Sequence, residues 1–185
     1  MKRVVVMMDY YKFGNHCVFY YFGIDHLMVN MYKYIKDCIE RNEYIYLCAE
    51  PKLYDRVCKC LDKYTEDISY FDINRIINLH KEAGNKAVKI ELRDCENNIY
   101  TQGYSGIRII GQVSYIMKDL LPKDFLSFEE NLEELIHGLK ISCMCLYDFE
   151  QYIEHNTAHN NVLIKQSLST HTHRLFKGQI EKSFK

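Results

Sequence analysis

Apolar positions along this chain switch repeatedly between a short continuous or alternating pattern and a three- and four-residue spacing, as strands and amphipathic helices in alternation require. Cys17 to Phe22 is an apolar and aromatic run of strand length closed by Gly23. In the helix that follows, Leu27, Met31, Tyr34, Ile35, Cys38 and Ile39 form one face, with Asp25 placed to cap it. Arg41-Asn42-Glu43 breaks the pattern, and Tyr44 to Ala49 reads as the next strand. Pro51 suits the first turn of a helix whose stripe is Leu53, Val57, Cys60, Leu61 and Tyr64, and Ile68 to Ile73 follows as a strand. Between Asn74 and Gln102, Val88, Leu92, Cys95 and Ile99 fit a helix while Val88, Ile90 and Leu92 also fit alternation. A helix broken near Gly84-Asn85 is the preferred reading.

Ile107 to Ile110 is a strand framed by Gly106 and Gly111, and Val113 to Leu120 a short helix stopped before Pro122. Ser127 and Glu130 make a capping box for a helix reaching Leu139, with Leu132, Leu135, Ile136 and Leu139 on its apolar face. Ile141 to Leu146 is nearly continuous in apolar residues, as a strand covered on both faces would be, and Tyr147-Asp148 leads into another helix. A helix over Val162 to Leu168 and a last strand over Thr170 to Phe176 complete the order, and the first dozen residues read as an added strand or arm ending at Gly14. Parallel strands need crossover connections, so this order predicts a three-layer α/β/α fold with a mostly parallel central sheet. No internal repeat, low-complexity tract or Pro/Ser-rich linker divides the chain, and one domain over 1–185 is expected, with its core at about 14–178.

Composition narrows the function classes. With 48% hydrophobic and 26% charged residues the chain is an ordinary globular one, and a formal net charge of -1 gives no global reason to expect direct nucleic-acid or anionic-membrane binding. The opening Val4-Val5-Val6-Met7-Met8 run is cut by Asp9, and no apolar stretch of about 18 residues exists, so a cytoplasmic protein without a membrane span is expected. The eight cysteines fall mostly inside apolar periodic segments, which predicts free thiols packed as small hydrophobes.

In an open parallel sheet, ligands bind outside the carboxyl ends of the strands. Residues near those ends here are polar: Tyr20 and Tyr21, Glu50, Asp72, Gln112 with Ser114 and Tyr115, Tyr147 with Asp148, and His171 with His173. Strand ends become polar wherever a chain leaves its core, so the set carries more than its members. The phosphate-loop pattern G-x-x-x-x-G-K-[ST] is absent, and Gly103-Tyr104-Ser105-Gly106 precedes a strand and reads as a turn. No G-x-S-x-G nucleophile turn occurs, so binding without turnover is expected and no cofactor is implied. Asp148 could serve as a base, but an aspartate there equally caps the next helix. Cys143 and Cys145 share a strand face, as do His171 and His173 if extended, and together they could ligate zinc. The spacing lacks a C-x-x-C knuckle, and no metal is the expectation. Cys58 and Cys60 read as packing residues.

Several segments in order resemble the methanogen/methylotroph sensory (MEDS) family. Gly14-Asn15-His16 through Tyr21 is similar to its G-x-H-x-x-x-x-Y start. Tyr34-Ile35 to Glu43-Tyr44-Ile45-Tyr46 resembles its helix ending in a Gly-Glu-like turn before a strand. Gly103 to Tyr115 resembles G-[YF]-x-G-[LF]-R-[VI]-x-G-E-M-S-W. Phe128-Glu129-Glu130-Asn131-Leu132, Cys143-Met144-Cys145-Leu146-Tyr147-Asp148 and Leu168-Ser169-Thr170-His171 are similar to its Y-E-x-x-L-N, C-x-Y-D and L-x-T-H elements. The chain departs from the pattern at Gln112 and Tyr115, where the family has Glu and Trp, and its segment from Asp72 to Gly103 is longer than usual.

The resemblance implies a RecA/KaiC-like core lacking the phosphate loop, and a role in sensing small molecules, simple hydrocarbon derivatives among them. The expected pocket is lined by His16, Tyr20, Gln112, Ser114, Tyr115, Tyr147, Asp148 and His171. Output is expected to pass to a protein partner such as a histidine kinase or transcription regulator, or through a homo-oligomer interface. The rival readings are an interaction module without a small ligand and a degenerate nucleotide binder or hydrolase using Asp148 and Glu50.

Overall fold

A computed structural model describes residues 13–154 and 158–183, the side chains of 158–161 excepted, so the expected N-terminal arm lies outside the described residues. In chain order the elements are β1 (His16–Tyr21), α1 (Gly23–Ile39), β2 (Glu43–Cys48), α2 (Pro51–Leu61), β3 (Ile68–Tyr70), α3 (Ile73–Thr101), β4 (Gly106–Gln112), α4 (Val113–Ile116), α5 (Pro122–Ile136), β5 (Ile141–Asp148), α6 (Phe149–Glu154), α7 (Ala158–Thr170), β6 (His173–Phe176) and β7 (Gln179–Lys182). The strands form one sheet in the order β3-β2-β4-β5-β1-β6-β7. Every neighbouring pair is parallel except β6 with β7. The fold is three-layer α/β/α.

Period-two alternation sorts the strand side chains between two cores. Cys17, Phe19, Tyr21, Ile45, Leu47, Ile110, Met144 and Leu146 pack against α1 and α2. Val18, Ile107, Ile109, Cys143, Cys145 and Tyr147 face the helices α3, α4 and α5, with Leu163 and Ile164 of α7 alongside. Coverage on both faces explains why β5 is buried from Ile141 to Tyr147 and needs apolar residues throughout. Fully buried Leu135 and Ile136 on α5 each contribute about 1.5–3 kcal/mol by leaving water.

Several local expectations are corrected. The capping box at Ser127 and Glu130 is not a helix start. Pro122 occupies the first turn of α5, Ser127 lies inside it with its carbonyl accepting from Asn131 Nδ2, and Glu130 accepts from Gln166 Nε2 of α7 at 2.7 Å. Asp25 does not cap α1, since Phe22 holds the cap position and Asp25 instead pairs with Arg56 at 2.9 Å. Cys60 is exposed rather than packed, and β7 adds an antiparallel edge that the sequence pattern did not announce. The expected break near Gly84-Asn85 is present, as a kink: Gly84 has φ 74° inside α3, a conformation that glycine adopts without a side-chain penalty. All eight cysteines are free.

Candidate functional site

Beneath the sheet face that α5 and α7 cover, four polar side chains from four chain segments converge in the interior. His16 opens β1 and points to the same side as Val18, and the parallel register sets His16 opposite Cys143 and Val18 opposite Cys145. Cys145 is therefore a diagonal neighbour of His16 on that face. Glu129 lies in the buried stripe of α5 with Phe125, Phe128 and Leu132, and His171 ends the turn between α7 and β6. His16, Glu129 and His171 are at most 2% exposed and Cys145 is 8% exposed, so water screens none of them.

The distances define the cluster. Glu129 Oε1 lies 3.0 Å from His171 Nε2 and 3.4 Å from His16 Nε2. Cys145 Sγ is 3.5 Å from His16 Nε2 and 3.8 Å from Glu129 Oε2. The Tyr147 hydroxyl donates to Glu129 Oε1 at 3.3 Å, and Tyr20 shares a 2.6 Å hydrogen bond with Ser167 beside it. His171 Nδ1 sits 2.7 Å from the Ser167 carbonyl, which can only accept, so Nδ1 carries the hydrogen. In the neutral ring Nε2 then presents a lone pair to a carboxylate oxygen. Although only 3.0 Å away, it makes no directed hydrogen bond, and His16 Nδ1 likewise has no hydrogen-bond partner among the described residues.

Electrostatics sharpen the picture. Burial is the largest influence on His16 and lowers its pKa, with the Glu129 carboxylate opposing and His171 reinforcing the shift. Burial alone would raise Glu129, but the charge and hydrogen bonds of His16, then of His171, in their protonated forms outweigh it and hold the carboxyl below its usual range. Burial and the nearby carboxylate push the Cys145 thiol far up.

A second feature adjoins the first. A cavity of about 210 Å³ at the carboxyl ends of β4 and β5 is lined by Val113, Ser114, Met117, Tyr147, Asp148, Gln151, Tyr152, Leu163 and Ile164. Its lining combines apolar side chains with a few hydroxyl, amide and carboxylate groups, as small-molecule pockets do. Tyr147 belongs to both features, lining the cavity and donating its hydroxyl to Glu129.

The eight residues singled out from sequence therefore distribute over four places. His16, Tyr20, Tyr147 and His171 surround Glu129, while Ser114 and Asp148 line the cavity with Tyr147. His16 lies at the opening end of β1, not its carboxyl end, and is buried rather than at a pocket mouth. Asp148 Oδ1 accepts from the backbone N–H groups of Glu150 and Gln151, capping α6. Gln112 accepts from the Glu50 N–H at 3.0 Å and borders a separate cleft with Tyr21 and Arg56. Tyr115 turns toward Tyr70, hydroxyl to hydroxyl at 3.5 Å. Of the four zinc-ligand candidates, Cys145 and His171 come together, whereas Cys143 and His173 do not join them; His173 contacts Thr172 instead.

Sequence reasoning missed Glu129 as a site residue. Its signal was a carboxylate on the apolar stripe of an amphipathic helix, three residues before Leu132 and one after Phe128.

The three-layer α/β domain carries a cavity at its strand ends, and its sequence contains no G-x-x-x-x-G-K-[ST] phosphate loop. Residues 15–172 match the family described as the methanogen/methylotroph, DcmR sensory domain, and the chain belongs to that family, a family of sensory domains. No curated protein matches the chain. Among the described residues, no helix is long and apolar enough to cross a membrane.

Proposed function

We propose that this sensory domain binds a small, largely apolar molecule in the cavity between β4, β5 and α7, without turnover. It would signal through a protein partner such as a histidine kinase or transcription regulator, or through self-association. The observation that carries this reading is Tyr147, which lines the cavity while its hydroxyl reaches the buried Glu129. The volume of about 210 Å³ lies below the roughly 300–1,000 Å³ of pockets for drug-sized ligands, which favours a molecule of few heavy atoms. Met117, Leu163 and Ile164 supply apolar wall, and Ser114, Asp148 and Gln151 supply orientation. A ligand shifts a conformational equilibrium only by its differential affinity, and displacement of the Tyr147 ring is the contact through which occupancy would reach the interior.

Titration of the full chain with short-chain alcohols and haloalkanes, followed by NMR of the tyrosine rings, tests the reading. Saturable shifts at Tyr147 and Tyr152 that disappear in Ser114→Phe, which fills the cavity, are expected. Shifts that survive cavity filling, or no saturable response across the panel, would refute it.

A further inference from the structure

We propose that His16, Glu129, Cys145 and His171 form a mononuclear binding site for a divalent transition cation of the zinc class. One ligand atom from each residue lies within 4.8 Å of all the others, and all four residues are buried. Four-coordinate tetrahedral zinc with N, O and S donors at about 2.0–2.3 Å requires donor-to-donor separations of about 3.3–3.8 Å. With Glu129 Oε1 as the carboxylate donor, the 3.4 Å to His16 Nε2 and the 3.5 Å between His16 Nε2 and Cys145 Sγ fall in that range, and the 3.0 Å between His171 Nε2 and Glu129 Oε1 is a few tenths short of it.

Three further features support the assignment. His171 Nε2 is buried, undirected toward any described hydrogen-bond partner, and aimed into the cluster. The bond from its Nδ1 to the Ser167 carbonyl fixes the tautomer a metal ligand needs, and the Tyr147 hydroxyl bonds the ligating carboxylate in the same supporting manner. Charge also balances. A thiolate and a carboxylate contribute two negative charges, which a divalent cation neutralises, so no net charge is left in the interior. Two imidazoles, a thiolate and one carboxylate suit zinc, cobalt or iron and are unsuited to magnesium or calcium, which take all-oxygen shells. Four protein ligands complete a tetrahedron and leave no position for a reactive water, which makes the site structural or sensory rather than hydrolytic. The pairing joins Cys145 and His171 to residues outside the expected set of cysteines and histidines, and it stands independently of the cavity reading.

The test is Co(II) and Zn(II) binding by the full untagged chain. Co(II) addition is expected to give the intense visible absorption of a tetrahedral site with a thiolate charge-transfer band, at one equivalent per chain and displaced by Zn(II). Cys145→Ser is expected to abolish the charge-transfer band, and Glu129→Gln to weaken binding about tenfold or more, while Cys58→Ser with Cys60→Ser changes neither. The wild-type spectrum reads ligation without any variant, so a misfolded substitution does not decide the result. Octahedral Co(II) absorption, no uptake by the folded wild-type chain, or a thiolate band that vanishes with Cys58 and Cys60 would overturn the proposal.

Discussion

Glu43 and Glu129 are buried to nearly the same extent, at 3% and 2% exposure, yet the protein surrounds them in opposite ways. Glu43 opens β2 and is gripped by Arg108 of β4 through two hydrogen bonds of 2.6 and 3.1 Å, with Arg41 adding a third at 3.0 Å. The Arg108 guanidinium in turn stacks over the Phe13 ring, 4.9 Å from its centroid. Every charge there has a directed partner. Around Glu129 stand two imidazoles and a thiol, with two buried ring nitrogens lacking any described hydrogen-bond partner. The first carboxylate is a closed structural device, and the second is a set of donors arranged about a point. Equal burial thus says little about role; what separates the two is whether the neighbours' hydrogen-bonding capacity is saturated.

The largest effect that sharpens this contrast comes from removing a cation that Glu43 depends on. Arg108→Leu leaves a buried carboxylate with only Arg41 as partner and is expected to cost about 3–5 kcal/mol of stability by urea denaturation. In chelator-treated protein, Glu129→Gln is expected to cost about 1 kcal/mol or less, because no directed bond to His171 is lost and the amide oxygen still accepts from Tyr147. Equal costs at the two sites would break the comparison.

Next in size is stabilisation by the cation. Zinc held at a hundredfold excess over its wild-type dissociation constant should stabilise the wild-type chain by about 2.7 kcal/mol, raising its melting temperature, and should stabilise Glu129→Gln, which binds about tenfold or more weakly, by about 1.4 kcal/mol or less. The same zinc addition should not alter the cost of Arg108→Leu, since the Glu43 pair lies on the opposite face of the sheet, toward α1. A zinc-dependent change in that cost would show that the two regions are not independent.

Tyr147→Phe comes third. It removes the hydroxyl from Glu129 and keeps the ring on the cavity wall, so it is expected to cost about 1.5 kcal/mol and to weaken zinc binding about tenfold. Isothermal titration with zinc and urea denaturation check the two parts separately. A variant that loses stability but binds zinc with unchanged affinity would remove Tyr147 from the support of the site.

The two regions were unequally legible in the sequence. The layers, the strand-helix order and the Gly84 kink follow from local period and from glycine, signals that do not depend on what packs where. Three of the four residues of the polar cluster were visible: His16 and His171 stand out as polar residues beside apolar runs, and Cys145 shares a strand face that offers it as a ligand. Their depth was not visible, because a residue that begins a strand can be covered by a helix more than a hundred positions away, as His16 is by Glu129 of α5. Ser127 and Glu130 misled because a capping pattern is only a preference, and Pro122 starts the same helix earlier with its φ already set. The short β7, half-exposed and carrying Gln179, Glu181 and Lys182, has too few apolar residues to announce itself. Gln112 and Tyr115 were placed with the others because both follow β4, yet one ties β4 to the residue after β2 and the other reaches β3.

The smallest effect is a pH dependence confined to Glu43. Burial pushes its carboxyl up, but the hydrogen bonds and charge of Arg108, then of Arg41, more than offset this, so its pKa in the folded chain lies below the usual value of 4.5. A carboxylate whose folded pKa is depressed binds fewer protons folded than unfolded, and its stabilising contribution is present above the unfolded pKa and lost as pH falls through the folded one. The stability difference between wild type and Glu43→Gln should therefore be constant above about pH 5 and shrink progressively below about pH 4.5. Contributions from the other carboxylates are common to both proteins and cancel in the difference. Urea denaturation of the pair from neutral pH down to the edge of acid unfolding measures it. A difference that stays constant on acidification would mean that Arg108 and Arg41 do not hold Glu43 in its charged form, and the contrast between a saturated and an unsaturated buried carboxylate would lose its first half.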